Sequence, residues 1–474
     1  MNAPGERTGP AEAASEVEIS LYEVRKKIHP RAVSGTLATW RWTLVWATQI
    51  VYYGTPWLSW NDRQAVLFDL AARKFYVFGF VFWPQDFIFL AGLLIVSAYA
   101  LFLFTALAGR LWCGYACPQT VYTEMFLWIE RQVEGDRPAR IRLDAAPLDA
   151  RKIRIKATKH ALWIALAFWT GFTFVGYFTP IRELGPAVLS LSTGPWETFW
   201  ILFYGFATYG NAGWMREQVC KYMCPYARFQ SVMFDSDTLI VTYDRRRGEP
   251  RGARSRATDR TAAGLGDCVD CSICVQVCPT GIDIRDGLQY ECIGCGACVD
   301  GCNQVMARLG YPKGLIRYST ENAIEGRYRD SEIARHVLRP RTLIYTAVLL
   351  AITTAVLAGL LLRTPLLVNV IRDRASIVRE LDDGRLENVY RLQIMNQSEA
   401  PRSFRVSASG IDGLELLARE PVVEIRAASQ VLVPVELRVP AAHVRPGSTP
   451  VVFHVQALDD ARVAREVKSV FIRR

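Results

Sequence analysis

The chain has 474 residues, of which 51% are hydrophobic, 11% aromatic and 22% charged, with a formal net charge of +10. That length exceeds one small domain, and apolar blocks alternating with charged ones exclude both a wholly soluble globule and a uniformly apolar membrane bundle. The basic surplus is spread over several apolar flanks, as in the cytoplasmic loops of a membrane protein, which argues against nucleic acid as a partner and for lipid.

Residues 1–30 are polar and carry no apolar run after Met1, so a cytoplasmic N-terminal tail over 1–35, disordered over 1–20, is expected, and no signal peptide. Five segments approach the roughly 20 residues a helix needs to cross a bilayer. They are Trp42 to Trp60, Phe87 to Gly109, Ala161 to Thr179, Trp196 to Trp214 and Leu343 to Leu362. The first and fourth hold Gly and polar residues, and a buried soluble helix is the alternative for them. Residues 131–159 carry nine Lys and Arg, whereas 183–195 carry none. The rule that short cytoplasmic loops are basic places 131–159 inside. Counting spans then puts the N-terminus and 215–340 inside, and 61–86 and the tail after Leu362 outside. The Arg-rich run Asp244–Arg260 agrees. Between the first two spans, the apolar stretch Val66–Phe82 is expected to lie along the outer interface, with Trp83-Pro84-Gln85 turning into the membrane.

From about Arg372 the pattern changes. Asn388–Ile394, Arg402–Ser409, Val422–Ile425, Val431–Val439, Pro450–Leu458 and Ala464–Ile472 read as short strands between turn residues, which suggests an immunoglobulin-like sandwich without a disulfide. The expected fold class is a polytopic α-helical membrane protein of about five spans, with an inserted bacterial two-cluster ferredoxin domain and a C-terminal all-β immunoglobulin-like sandwich. The expected divisions are a four-span membrane domain over 36–243, a cytoplasmic ferredoxin-type domain over 244–340, a fifth span over 341–363 and a periplasmic sandwich over 372–474.

All twelve cysteines lie between Cys113 and Cys302. Their spacings are those of metal ligands rather than of a disulfide framework. Cys268, Cys271, Cys274 and Cys278 form one C-x2-C-x2-C-x3-C run, followed by Pro279. Cys292, Cys295, Cys298 and Cys302 form a second. Three closely spaced thiolates wrap one face of a 4Fe–4S cluster and the fourth comes from the other run. One cluster is therefore expected on Cys268, Cys271, Cys274 and Cys302, and another on Cys292, Cys295, Cys298 and Cys278. A four-Cys zinc site is the alternative. Gly294, Gly296 and Gly301 would let backbone N–H groups approach sulfur. Asn303 stands where a second Pro is usual, so a local backbone or potential change is expected there without loss of a cluster.

A second constellation is duplicated. Cys113-Gly-Tyr-Ala-Cys117-Pro118 follows the second span and Cys220-Lys-Tyr-Met-Cys224-Pro225 follows the fourth. If helical, each pair presents its thiols on one face at i and i+4, with the Pro breaking the helix just beyond. Duplicated membrane hairpins often share a site at their interface. Cu(I), zinc, a further iron–sulfur cluster, a redox dithiol or plain buried thiols all remain open for it. His29, His160 and His336 sit at the inner boundary and none lies mid-span, so structural or interfacial roles are expected rather than haem ligation. Asn211 reads as a helix-packing residue and Glu197 as a headgroup contact. No phosphate loop, dinucleotide fingerprint or nucleophile elbow is present. Electrons must then come from a separate donor or from quinol.

These motifs resemble the CcoG/RdxA/FixG family of cytochrome oxidase accessory proteins. The resemblance rests on the paired C-x-Y-x-C-P, the double ferredoxin run, one further span and the sandwich tail. Trp83-Pro84-Gln85-Asp86 and Ala108-Gly109-Arg110-Leu111-Trp112-Cys113 through Thr120 carry it most specifically. The membrane half alone also resembles the membrane subunit of quinol dehydrogenases of nitrate respiration. The family resemblance implies two 4Fe–4S clusters on the eight ferredoxin cysteines. It implies an oxidoreductase role, Cu(II) reduction to Cu(I), in assembly of cbb3-type oxidases, with the oxidase or copper chaperones as partners, an inner-membrane location and a homodimer as one oligomeric state. Cys113, Cys117, Cys220 and Cys224 become the candidate catalytic thiols, for copper or a further cluster. A quinol-linked electron-transfer subunit and a non-catalytic assembly scaffold are the competing functions.

Overall fold

The computed structural model describes residues 27–254, 264–373 and 378–473, so the expected tail over 1–20 and the end of the Arg-rich run 244–260 lie outside the described residues. The first helix, α1, runs Thr36–Gly54. Its N-cap is Gly35, which offers no side chain. The Asp300 carboxylate from the ferredoxin domain takes the capping place, accepting from Ala38 N at 2.7 Å and Leu37 N at 3.4 Å. A Cβ on Gly35 would stand 2.4 Å from Asp300 Cγ, so glycine is required by that close approach.

Next come α2 (Phe87–Ala108), α3 (Leu111–Tyr115), α4 (Pro118–Glu134), α5 (Arg137–Ala145) and α6 (Ala150–Val175). After them follow α7 (Ile181–Leu189), α8 (Pro195–Thr208) and α9 (Pro225–Met233). Among the described residues, two helical stretches are long and apolar enough to cross a membrane, Pro84–Ala108 and Pro340–Leu361. The other three expected spans are helices with shifted bounds. The third begins earlier, at Ala150, because Asp149 caps it by accepting from Lys152 N at 2.7 Å. The fourth leaves the α geometry at Thr208 and continues as a π-helical segment, Tyr209–Met215. There Gln119 Nε2 donates to Asn211 O at 2.9 Å and Arg216 O at 3.0 Å, drawing these carbonyls out of the regular ladder.

Small residues set the helix crossings. A Cβ on Gly171 of α6 would meet Ile201 O of α8 at 2.2 Å, and one on Gly92 of α2 would meet Val356 of the helix Pro340–Leu361 at 2.6 Å.

The segment between α1 and α2 differs from the expected interfacial stretch. It forms a three-stranded antiparallel sheet of Val66–Asp69, Lys74–Val77 and Phe80–Phe82. Its Val81 and the following Trp83 pack on Met395 of the sandwich. Glu399 of the sandwich accepts from Trp60 Nε1 at 2.9 Å and Asn61 Nδ2 at 2.7 Å. This loop is therefore folded against the C-terminal domain.

The ferredoxin domain begins before the expected boundary at 244, because the strand Ile240–Tyr243 pairs antiparallel with Ile316–Ser319 and closes the domain at both ends. The sandwich also begins earlier than Arg372. Its strand Leu366–Arg372 opens with three apolar residues in a row and so lacks the alternation that marks the later strands. One sheet orders Glu415–Ala418, Ser429–Pro440, Arg385–Asn396 and Leu366–Arg372; the other orders Val422–Ile425, Arg402–Ser409, Gly447–Ala457 and Ala464–Arg473. Tyr390, Leu392, Phe404, Phe453 and Phe471 fill the space between them.

Candidate iron–sulfur and thiol sites

Two apolar cavities occupy the ferredoxin domain. One is lined by Cys278, Cys292, Cys295 and Cys298 with Ile282, Ile284 and Ile293. The other is lined by Cys268, Cys271, Cys274 and Cys302 with Met306, Leu315 and Ile316. Cys274 also reaches the wall of the first. Each cavity thus carries three thiols of one run and the last of the other. Among the described residues no three Cys, His, Asp or Glu side chains converge where a single ion would sit. Thiols standing round a cavity fit the corners of an iron–sulfur cage better than one tetrahedral zinc.

The backbone round the sulfurs is wound to suit. Asp270, Ser272, Gly294 and Gly296 all have positive φ, the conformation that turns successive N–H groups into an anion-binding nest. Asn303 Oδ1 accepts from Gly314 N at 2.8 Å, tying the helix Ala297–Leu309 to the turn before Ile316–Ser319. Burial pushes the thiols of Cys274, Cys292 and Cys302 up to about 12, against Arg285 in the case of Cys274. Without metal these groups keep their protons at neutral pH, so iron binding must displace them.

The two C-x-Y-x-C-P motifs are not single helical turns. Cys113 lies within α3, but Cys117 is extended, with ψ 129°, and caps α4. Cys220 lies in a π-helical turn, Val219–Met223, and Cys224 is extended, with ψ 106°, at the start of α9. The reason is proline: Pro118 and Pro225 exclude the α conformation from the residue before them, so the break falls on the second cysteine itself. The i, i+4 face expected from spacing is therefore not formed. The thiols still gather. Cys113 and Cys220 join one apolar cluster with Ile293, Cys295 and Cys298. Burial raises the thiols of Cys113, Cys117 and Cys220, the last to about 12; each also feels the neighbouring cysteines, and Arg110 opposes the rise at all three.

Contact between the first motif and the ferredoxin domain is close. A Cβ on Gly114 would stand 2.8 Å from Cys295 Cα and from Ile293 O. Gly294 in turn lies on the Arg110 carbonyl, where a Cβ would stand 3.3 Å away. The Arg110 guanidinium donates to Tyr290 O, and Tyr318 OH donates to Gly294 O at 2.6 Å. Cys113 Sγ donates to the buried Gln230 Oε1 at 3.3 Å. Arg41 and Glu124 pair at 3.3 Å beside this joint.

Sequence reasoning missed a buried ionic cluster next to these motifs. Glu130 Oε2 accepts from Arg216 at 2.9 Å and Arg140 at 3.4 Å. Glu134 Oε1 takes Lys156 at 2.8 Å and Lys159 at 2.9 Å. Burial alone would raise the Glu130 carboxyl, but Arg216, Lys159 and Arg140 hold it below its usual range. The signal was there as acid pairs at i, i+4 inside a basic loop, though it reads first as a membrane flank. The histidines each have a protein partner: His29 Nε2 lies 3.4 Å from Asp144, His160 Nδ1 is 3.0 Å from Tyr209 OH, and His336 stacks on Tyr328.

Two thiol-lined cavities in a ferredoxin-type domain, joined to a helical module and an all-β domain, define an iron–sulfur electron-transfer protein. Comparison with known proteins agrees. A 4Fe–4S dicluster domain matches residues 215–321, a 4Fe–4S binding domain matches 90–134, and the immunoglobulin-like fold at the C-terminus of FixG matches 356–474. The nitrogen fixation protein FixG of Rhizobium meliloti is 41% identical over 450 residues, covering 88% of this chain and 84% of that one. Protein RdxA of Cereibacter sphaeroides is 42% identical over 404 residues, covering 83% and 84%. The ferredoxin-type protein NapH of Haemophilus influenzae is 24% identical over 223 residues, 44% of this chain and 65% of that one. The chain belongs to the FixG/RdxA family.

Proposed function

We propose that the protein is a membrane-spanning cupric reductase that supplies Cu(I) for assembly of a cbb3-type oxidase. The carrying observation is the direct seating of Gly114, between Cys113 and Cys117, on the Cys295 backbone, with Cys220 in the same apolar cluster. Cys268, Cys271, Cys274 and Cys302 hold one cluster, and Cys278, Cys292, Cys295 and Cys298 the other. When bound, the clusters supply single electrons. The chain's own residues do the rest. The thiols of Cys113, Cys117, Cys220 and Cys224, which lie near one another without forming a closed ion site, would capture the incoming Cu(II) ion as sulfur gives up its proton, and soft sulfur favours the Cu(I) product. Arg110 opposes the burial that keeps the thiols protonated. Ile293 and Val277 exclude water between thiols and cluster cavity. One electron passes to one copper ion and no bond to carbon changes.

The membrane reading places α1, α2, α6, α8 with its π-helical extension, and Pro340–Leu361 across the inner membrane, with clusters cytoplasmic and sandwich periplasmic. Supporting it are the basic loop 131–159 and the large apolar side chains left exposed on these helices, among them Trp46, Ile88, Leu94, Phe206 and Leu350. The sandwich, fixed to the outer loop through Glu399, is the surface offered to the oxidase or a copper chaperone. The test is anaerobic, full-length protein with dithionite-reduced clusters, desalted and mixed with Cu(II). Cu(I) should form as the cluster EPR signal disappears. Replacing Cys113, Cys117, Cys220 and Cys224 together by Ser should abolish the reaction and keep the signal; an unchanged rate would remove these thiols from the site.

A further inference from the structure

A further cavity lies away from the cluster cavities, where α4, α6 and the π-helical segment Tyr209–Met215 meet. It measures about 420 Å3 and is lined by Glu130, Lys159, His160, Trp163, Trp214 and Arg216, among others. That size is within the usual range for small-molecule sites. We propose that it is the headgroup site of a membrane quinol, the electron donor to the clusters. The proposal rests on the electron-transfer and membrane readings above and adds the donor they leave open.

Four observations lead there. First, Glu130 is fully buried and its Oε1 makes no hydrogen bond within the described residues, its nearest cation being Lys159 Nζ at 3.9 Å. A buried acceptor left open at a cavity calls for a ligand with an O–H or N–H donor. Second, the walls are flat and aromatic. His160 and Trp214 stack with centroids 5.6 Å apart and planes 17° apart, and Trp163 meets the imidazole edge-on at 5.2 Å. A planar ring extends such a stack. Third, each cation lining the cavity is already engaged by a carboxylate, Arg216 by Glu130, Lys159 by Glu134, and Lys27 and Lys156 by Asp144, so none stands bare to receive a phosphate or other anion. Fourth, the cavity is wired to the redox site. Arg216 and Glu217 line it and also line a smaller cavity with Cys220, Pro279 and Ile293, next to the loops that carry Cys278 and Cys292. Trp214 stands half exposed at the rim, and Leu162 and Phe206 leave the outer faces of the same helices apolar. A lipid-soluble ligand can enter there.

A hydroquinone meets all of these demands. One hydroxyl donates to Glu130 Oε1. The other faces His160, whose Nδ1 is engaged by Tyr209 OH and whose Nε2 is the base. In the reaction two O–H bonds break and the ring becomes the quinone. The clusters, when bound, would take the two electrons singly; one proton goes to His160 Nε2 and the other to Glu130 Oε1, and both pass on to solvent. Together with the copper reaction, one quinol reduces two Cu(II) ions and releases two protons.

The experiment uses full-length protein with its clusters, anaerobic in detergent, and duroquinol as the probe. Duroquinol should reduce the clusters, read by EPR. An azidoquinone photolabel should mark peptides containing Trp214 or His160. His160→Asn should slow reduction by duroquinol about 100-fold, and Trp214→Leu should lose the photolabel, while dithionite still reduces the clusters of both variants fully. Dithionite-reducible clusters that duroquinol leaves oxidised would overturn the proposal, as would variants reduced as fast as the unaltered protein or a label placed elsewhere. Failure of dithionite-reduced protein to act on Cu(II) would instead count against the copper reading, because cluster reduction by duroquinol is read without copper.

Discussion

The two C-x-Y-x-C-P motifs are copies in sequence and differ in structure. The first stands in a short α-helix, buries Cys113 and presses Gly114 onto the cluster loop. The second stands in a π-helical turn, leaves Cys220 and Cys224 half-buried, and carries Lys221 where the first has Gly114. Lysine could not occupy the first position, because backbone atoms of Cys295 and Ile293 fill the space of its Cβ. Duplication supplied two thiol pairs, and docking of the ferredoxin domain then made them unequal. One pair is built into the contact with the cluster-binding loop; the other lies half-buried beside it.

Glu130 is the joint between the copies and gives the largest expected effect. It lies in α4, after the first motif, and holds Arg216, just before the second. Glu130→Ala would leave Arg216 and Arg140 buried without their carboxylate, and breaking a buried pair this way costs about 3–5 kcal/mol. A thermal melt of the detergent-solubilised protein should show that loss, whereas a small shift would mean that water already screens the cluster. The next test addresses the difference itself. Gly114→Val should destabilise by about 1–3 kcal/mol, the usual cost of overpacking. It should also perturb the EPR spectrum of the cluster on Cys278, Cys292, Cys295 and Cys298. Lys221→Val, at the equivalent position, should change stability by no more than about 0.5 kcal/mol. Equal responses at the two positions would show the copies to be alike after all.

Much of this molecule could be read from its sequence because its signals are local. The ferredoxin runs declare themselves by spacing within a few residues, and the sandwich strands by alternation, as at Arg402–Ser409 and Val422–Ile425, whose bounds the pattern gave unchanged. Where alternation was missing the boundary was lost, as at Leu366, where three apolar residues in a row follow Arg363-Thr364-Pro365. Proline was recognised as a breaker but placed one residue late, because its restriction acts on the residue before it. The contacts that make the site were illegible for a different reason. Gly114 touching Cys295, Asp300 capping α1 and Glu130 holding Arg216 join residues 86 or more positions apart. The one local hint near Glu130, an acid four residues on at Glu134 before a basic loop, reads equally well as a solvated membrane flank.

Asp300 offers the smallest and most specific test of how the first copy is locked. Its carboxylate sits in the second ferredoxin run, between Cys298 and Cys302, yet its partners are the first N–H groups of α1. The cap therefore couples the cluster domain to the membrane module at a second point, independent of Gly114. Asp300→Asn keeps the shape and an acceptor oxygen but removes the charge that complements the helix N-terminus. The expected cost is about 0.3–1 kcal/mol, with cluster content unchanged. Asp300→Ala removes the acceptor as well and should cost about 1 kcal/mol more typically of a lost cap. If the contact also fixes the distance between cluster and thiols, both variants should slow Cu(II) reduction more than they lower the melting temperature. If it serves stability alone, the rate should follow the unaltered protein while the melt shifts. Because the ferredoxin cysteines are untouched in either variant, a change in rate with full EPR signal would locate the effect at the seam between the two modules.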